Sequence, residues 1–162
     1  MIHKQLKERI YWIIDQNNYS VNKRMTLICK TLKDTIDYYD WVGFYFANHD
    51  AKTLHLEAFA GVPTDHTIIP FGKGICGQVA NAGKNFVVDD VKAENNYISC
   101  NIHVKAEIVI PLFKEGINIG QLDVDSHTLN PFSKKVEYAI PSLIILILVT
   151  FSSASRVLRS NV

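Results

Sequence analysis

The chain of 162 residues has little cysteine: only Cys29, Cys76 and Cys100. Three is too few and too odd a number for a disulfide framework, and no spacing is that of a zinc finger. A reducing, cytoplasmic setting is the simpler expectation. Net charge is nearly absent, since 17 Lys+Arg face 16 Asp+Glu and leave +1. No field recruits nucleic acid or anionic lipid, and the basic residues form no stripe with interleaved aromatics. Long apolar runs are also scarce. Lys4, Lys7, Glu8 and Arg9 interrupt any signal-peptide core at the start of the chain. Residues 143–149 are uninterruptedly apolar within a largely apolar segment, 139–154, that contains Pro141. A membrane span needs about 20 such residues. The segment is therefore expected to pack in the core or in a homodimer interface, with no membrane partner. No repeat, low-complexity stretch or linker divides the chain, so residues 1–162 are expected to form a single domain.

Hydrophobic residues make up 48% and charged residues 20%, the balance of an ordinary globular protein. Ile2, Leu6, Ile10 and Ile13 recur on one face of a helix. Ser20 can cap a second helix, whose apolar face carries Met25, Ile28, Leu32 and Ile36. Cys29 lies among these and reads as a small buried hydrophobe. Residues 41–46 and 54–59 read as strands joined by the turn chemistry of Asn48, His49 and Asp50. Residues 71–77 form a glycine-rich turn into a short helical stretch, 78–82. Residues 86–88 are a short strand, and 89–101 a polar loop carrying Cys100. Strands follow at 107–113 and 117–124, joined by Lys114-Glu115-Gly116, and a last helix starts at 130–133. The order predicts an α+β fold: a mainly antiparallel central sheet with N- and C-terminal helices packed on one face.

Asp123 and Asp125 are two apart in a strand, so both leave the same face. Trp41, Gly43 and Tyr45 share a face of their own strand. Glu107 opens the hairpin partner of the strand with the two aspartates. The three carboxylates either converge or stand solvated at strand ends. If they converge, at least one pKa rises, and the set can hold an ammonium while keeping a proton for general acid work. Cys76 follows a Gly-x-Gly turn at a helix start, where a thiol pKa is lowered. Cys100 sits in a loop that suits an exposed thiolate, and with His103 it forms a C-x-x-H pair too small for a metal site. Gly72-x-Gly74-x-x-Gly77 has phosphate-loop spacing, without the lysine-plus-hydroxyl that such a loop needs.

Five stretches taken together resemble the free methionine-(R)-sulfoxide reductases, a branch of the GAF fold. They are Trp41-Val42-Gly43-Phe44-Tyr45, the run from Ile69 to Gly77, Tyr97-Ile98-Ser99-Cys100, Glu107-Ile108-Val109-Ile110-Pro111-Leu112, and Gly120-Gln121-Leu122-Asp123-Val124-Asp125-Ser126. The resemblance covers residues 20 to 137. It implies that Cys100 attacks the sulfoxide, and that Glu107, Asp123 and Asp125 bind substrate and supply the acid. It implies that Trp41 and Tyr45 wall the methyl-sulfinyl group, and that Cys76 is a second family cysteine. One departure stands out. A third family cysteine, commonly the resolving thiol, falls ten residues before the Cys76 position, where this chain has His66, which reads from the sequence as a solvated loop histidine.

The implied reaction is thiol-dependent reduction of free L-methionine-(R)-sulfoxide. The Cys100 thiolate attacks while a protonated carboxylate donates to the oxygen, and Cys100 becomes a sulfenic acid. A thioredoxin-like reductant regenerates it through a disulfide. No metal or organic cofactor is required. With His66 in the resolving position, Cys76 resolves, an external thiol does, or the activity is lost. The alternatives to an enzyme are a non-catalytic GAF sensor of a small molecule or redox state, and a dimerisation module.

Overall fold

The computed structural model of the protein describes residues 2–98 and 102–132. Cys100 and the expected last helix lie outside the described residues. Two helices open the chain, α1 at Ile2–Ile14 and α2 at Val21–Thr35. Six strands follow: β1 Trp41–Asn48, β2 Thr53–Ala60, β3 Ile68–Pro70, β4 Phe86–Val88, β5 Ala106–Lys114 and β6 Ile117–Ser126. A third helix, α3 at Gly74–Ala82, lies between β3 and β4. The strands form one antiparallel sheet in the order β3-β2-β1-β6-β5-β4.

Each face of the sheet has its own apolar cluster. On one face, Val42, Phe44, Ile108, Ile110, Leu122 and Val124 meet Ile10, Ile13, Ile28 and Leu32 of the two N-terminal helices. The helical faces are those that the apolar spacing marks. The Ser20 hydroxyl caps α2 by accepting from the Lys23 N–H at 3.2 Å, fixing where that helix starts. Cys29 is fully buried in this cluster, and burial pushes its thiol well up. It is a packing residue, as its neighbours in the sequence suggest. On the other face, α3 lies over Trp41, Tyr45, Leu54 and Val109. Because side chains alternate along a strand, Trp41 and Tyr45 of β1, Glu107 and Val109 of β5, and Asp123 and Asp125 of β6 share this second face.

The boundaries differ from those read in the sequence where it matters most. β6 runs to Ser126, two residues further than expected, so Asp123 and Asp125 lie inside a strand rather than at its end. α3 starts at Gly74, which puts Cys76 in its first turn. β3 was not foreseen, being three residues long and set in a loop. Among the described residues no helix is long and apolar enough to cross a membrane.

Candidate active site

Backbone pairing brings the carboxylates together. Asp125 sits opposite Trp41 on β1 and opposite Glu107 on β5. Asp123 sits opposite Gly43 and Val109. Glu107, Asp123 and Asp125 are all buried. The sequence left open whether these groups would be solvated at strand ends; burial inside the sheet removes that alternative.

α3 lowers Cys76 onto this cluster. Its sulfur donates to Asp123 Oδ2 at 3.2 Å and lies 3.9 Å from Glu107 Oε1. The thiol thus serves as a hydrogen-bond partner of the carboxylates, a role that the helix-start position alone does not reveal. Cys76, Glu107 and Asp123 have ligating atoms within 4.8 Å of one another, close enough to surround a small cation. The thiol–carboxylate hydrogen bond already accounts for that closeness.

The electrostatics follow from geometry. Burial is the largest influence on all three acids, because a charged carboxylate loses its hydration. Glu107 is held well above the usual carboxylate range by burial, then by the charges of Asp123 and Asp125, with the Cys76 hydrogen bond partly opposing. Asp125 is raised by burial, then by Asp123 and Asp40. Asp123 is pushed up by burial to about 7, restrained by the hydrogen bonds from Cys76 and the Val124 backbone. Asp123 is therefore the member poised to ionise around neutral pH, while burial favours the protonated forms of Glu107 and Asp125. An anion for a cation and a neutral acid for proton donation coexist in one cluster.

An aromatic wall stands beside the acids. Trp41 stacks on Phe59 with centroids 5.9 Å apart and lies 6.3 Å from the Tyr45 ring. The indole N–H donates to the Val62 carbonyl at 3.1 Å and the Tyr45 hydroxyl to the His66 carbonyl at 2.9 Å. Gly43 makes this wall possible: a Cβ there would lie 2.1 Å from Trp41 Cη2. The indole lies where any other side chain would stand.

His66 is not the solvated loop residue expected from the sequence. It is half-buried, and its Nδ1 is out of solvent with no hydrogen-bond partner among the described residues. His66 lines a cavity of about 20 Å³ with Cys76, Glu107, Lys73 and Ile98. A second cavity, of about 30 Å³, lies toward Asp125 and is lined by Asp40, Trp41, Thr64 and His127 among others. Each has room for about one water. The glycines of the loop before α3 serve the turn: the Gly72 N–H donates to the Gly77 carbonyl at 2.7 Å, and Asn96 ties Gly72 and Gly74 together. Phosphate binding has no part in that geometry.

Asp40, Gln121 and His127 were not foreseen as neighbours of the site. Gln121 continues the row of Asp125 and Asp123 by the same two-residue step, and its amide is fully buried without a partner among the described residues. That step was the available signal. Nothing in the sequence pairs Asp40 with His127, which meet across 87 positions.

The family described as GAF domain matches residues 19–137. A solved type II free methionine-R-sulfoxide reductase from Thermoplasma acidophilum is 34% identical, with a TM-score of 0.76 over 90% of this chain and 94% of its own. The free methionine-R-sulfoxide reductase from Neisseria meningitidis, solved with its substrate, is 30% identical, with a TM-score of 0.88 over 96% of this chain and 91% of its own. The chain belongs to the GAF-domain family, on its free methionine-R-sulfoxide reductase branch. GAF domain-containing protein A of Dictyostelium discoideum is 38% identical over 119 residues, 74% of this chain and 72% of that protein. In this GAF domain the carboxylate face lies under α3, and the packing face lies under the two N-terminal helices.

Proposed function

We propose that this protein reduces free L-methionine-(R)-sulfoxide to methionine, with Cys100 as the attacking thiolate. The observation that carries the reading is the buried triad of Glu107, Asp123 and Asp125 beside the Trp41–Tyr45 wall, on a reductase-branch GAF fold. Asp123, the most readily ionised of the three, pairs with the substrate ammonium, helped by the neighbouring carboxyls. A free amino group is what such a cluster selects, and a peptide-bound methionine has none. Trp41 and Tyr45 take the methyl-sulfinyl end. Asp125 or Glu107, kept neutral by burial and by the other acids, donates a proton to the sulfoxide oxygen. The oxygen passes to Cys100 as a sulfenic acid, and methionine leaves. An external thiol, of thioredoxin type in a reducing cytoplasm, then forms a disulfide with Cys100 and a second thiol opens it.

The deciding experiment is turnover of the (R) epimer by the reduced protein with dithiothreitol, the (S) epimer serving as control. Consumption of the (R) epimer alone supports the enzyme. No turnover by folded, reduced protein leaves the sensor reading, which the replacement of the resolving thiol by His66 favours.

A further inference from the structure

The reaction proposed above takes a proton from a buried acid and must return it once per cycle. Asp125 is only 4% exposed. A polar route nevertheless leads outward from it. Asp40, just before β1, donates its backbone N–H to the Asp125 carbonyl at 3.0 Å, which fixes the two residues side by side. Asp40 also holds His127. Its Oδ2 accepts the His127 backbone N–H at 2.6 Å, and its Oδ1 lies 3.3 Å from the imidazole Nδ1. The His127 side chain is 41% exposed and so meets bulk water. Between these groups lies the cavity of about 30 Å³, to which Asp40, Asp125 and His127 all contribute. That is space for one water with three polar neighbours.

Other titratable groups surround the route. The His103 ring, from the segment before β5, packs edge-on against His127 with centroids 5.7 Å apart. Glu107 on β5 and Asp123 on β6 stand on the inner side of Asp125. His127 is the more exposed end of this route, with the Asp40 side chain 30% exposed behind it, and an imidazole can pass a proton between its two nitrogens.

We propose that His127 and Asp40 form a proton relay that returns a proton from solvent to Asp125 after each sulfoxide reduction. The inference rests on the reading of the protein as a reductase. In the first half-reaction the Asp125 O–H proton goes to the sulfoxide oxygen. The substrate S–O bond breaks, and the oxygen ends on the Cys100 sulfur as S–OH. One reductant thiol then forms a mixed disulfide with Cys100, and the oxygen leaves as water. A second reductant thiol opens that disulfide. It yields oxidised reductant, the Cys100 thiolate and one proton in solvent. The His127 imidazole takes up a proton on its exposed nitrogen and releases the Nδ1 proton toward Asp40 and the cavity. From there it reaches the Asp125 carboxylate. Asp40 is the positioning residue: it sets the tautomer and orientation of the ring.

The test compares single and multiple turnovers of full-length H127Q and H127A. Methionine released in one turnover by pre-reduced protein needs no reprotonation and is expected at the wild-type rate. Steady-state kcat with excess dithiothreitol is expected to fall roughly tenfold, at unchanged KM and with a larger solvent isotope effect. Free imidazole in the buffer is expected to restore H127A. Equal slowing of both phases, or wild-type steady-state rates with an unchanged pH profile, overturns the relay. If the wild-type protein turns over neither epimer, the functional reading has failed, and the contact is judged without activity. Carbon-13 carboxyl titration should then show the Asp125 midpoint shifted downward in D40N, and an unshifted midpoint overturns the relay.

Discussion

Glu107 and Asp125 face each other directly across the β5–β6 ladder, and both are buried. Like charges opposed on one sheet face destabilise it. The pair is tolerated where at least one member carries a proton, as the raised values of both favour, and the proposed sulfoxide reduction would draw on that proton.

Stability should report the same protons. All three acids are raised in the folded chain. Between the ordinary carboxylate range and the raised values, the folded chain therefore binds more protons than the unfolded one. Stability then falls as pH rises through that window. For Asp123 the window extends to about 7. The thermal midpoint is expected to drop from about pH 5 to about pH 7, and E107Q should flatten the slope. A midpoint that rises over this range contradicts a protonated cluster.

The two site cysteines should separate by role. C100S is expected to lose turnover entirely. C76S keeps a hydroxyl donor to Asp123 and should retain turnover with dithiothreitol to within about tenfold, the scale of one exchanged hydrogen bond. The opposite pattern moves the nucleophile to Cys76.

G43A tests the aromatic wall. The added methyl meets the Trp41 ring at 2.1 to 2.5 Å, so the indole must move. Overpacking of this kind costs about 1–3 kcal/mol. A lower thermal midpoint, shifted tryptophan emission and a raised KM are expected together. Unaltered KM with shifted emission would remove Trp41 from substrate binding.

H66C places a thiol on the cavity that Cys76 and Glu107 also line. Turnover with a thioredoxin system should increase, while turnover with dithiothreitol stays the same. An increase with neither reductant assigns resolution to Cys76 or to direct external reduction.

Much of this was readable along the chain because it depends on local periodicity. The apolar faces of α1 and α2, the Ser20 cap and the shared face of Asp123 and Asp125 follow from 3.6- and 2-residue repeats. The five linked motifs identified the branch of the fold. Failures came where distant residues decide. His66 reads as a solvated loop histidine, yet the Tyr45 hydroxyl on its carbonyl anchors the loop and the residue lines the cavity. Cys76 reads as a helix-start thiol, yet Asp123 accepts its proton across 47 positions.

The sequence by itself determined which side chains share a face, because alternation along a strand is a local property of the backbone. It also determined the resemblance to the reductase branch, because the five motifs are contiguous stretches of chain. Only the tertiary structure decided that the acids are buried, and so shifted toward their protonated forms. Strand register put Asp125 between Trp41 and Glu107, and α3 closed over Asp123. Desolvation arises from everything packed around a group, and no local pattern encodes it.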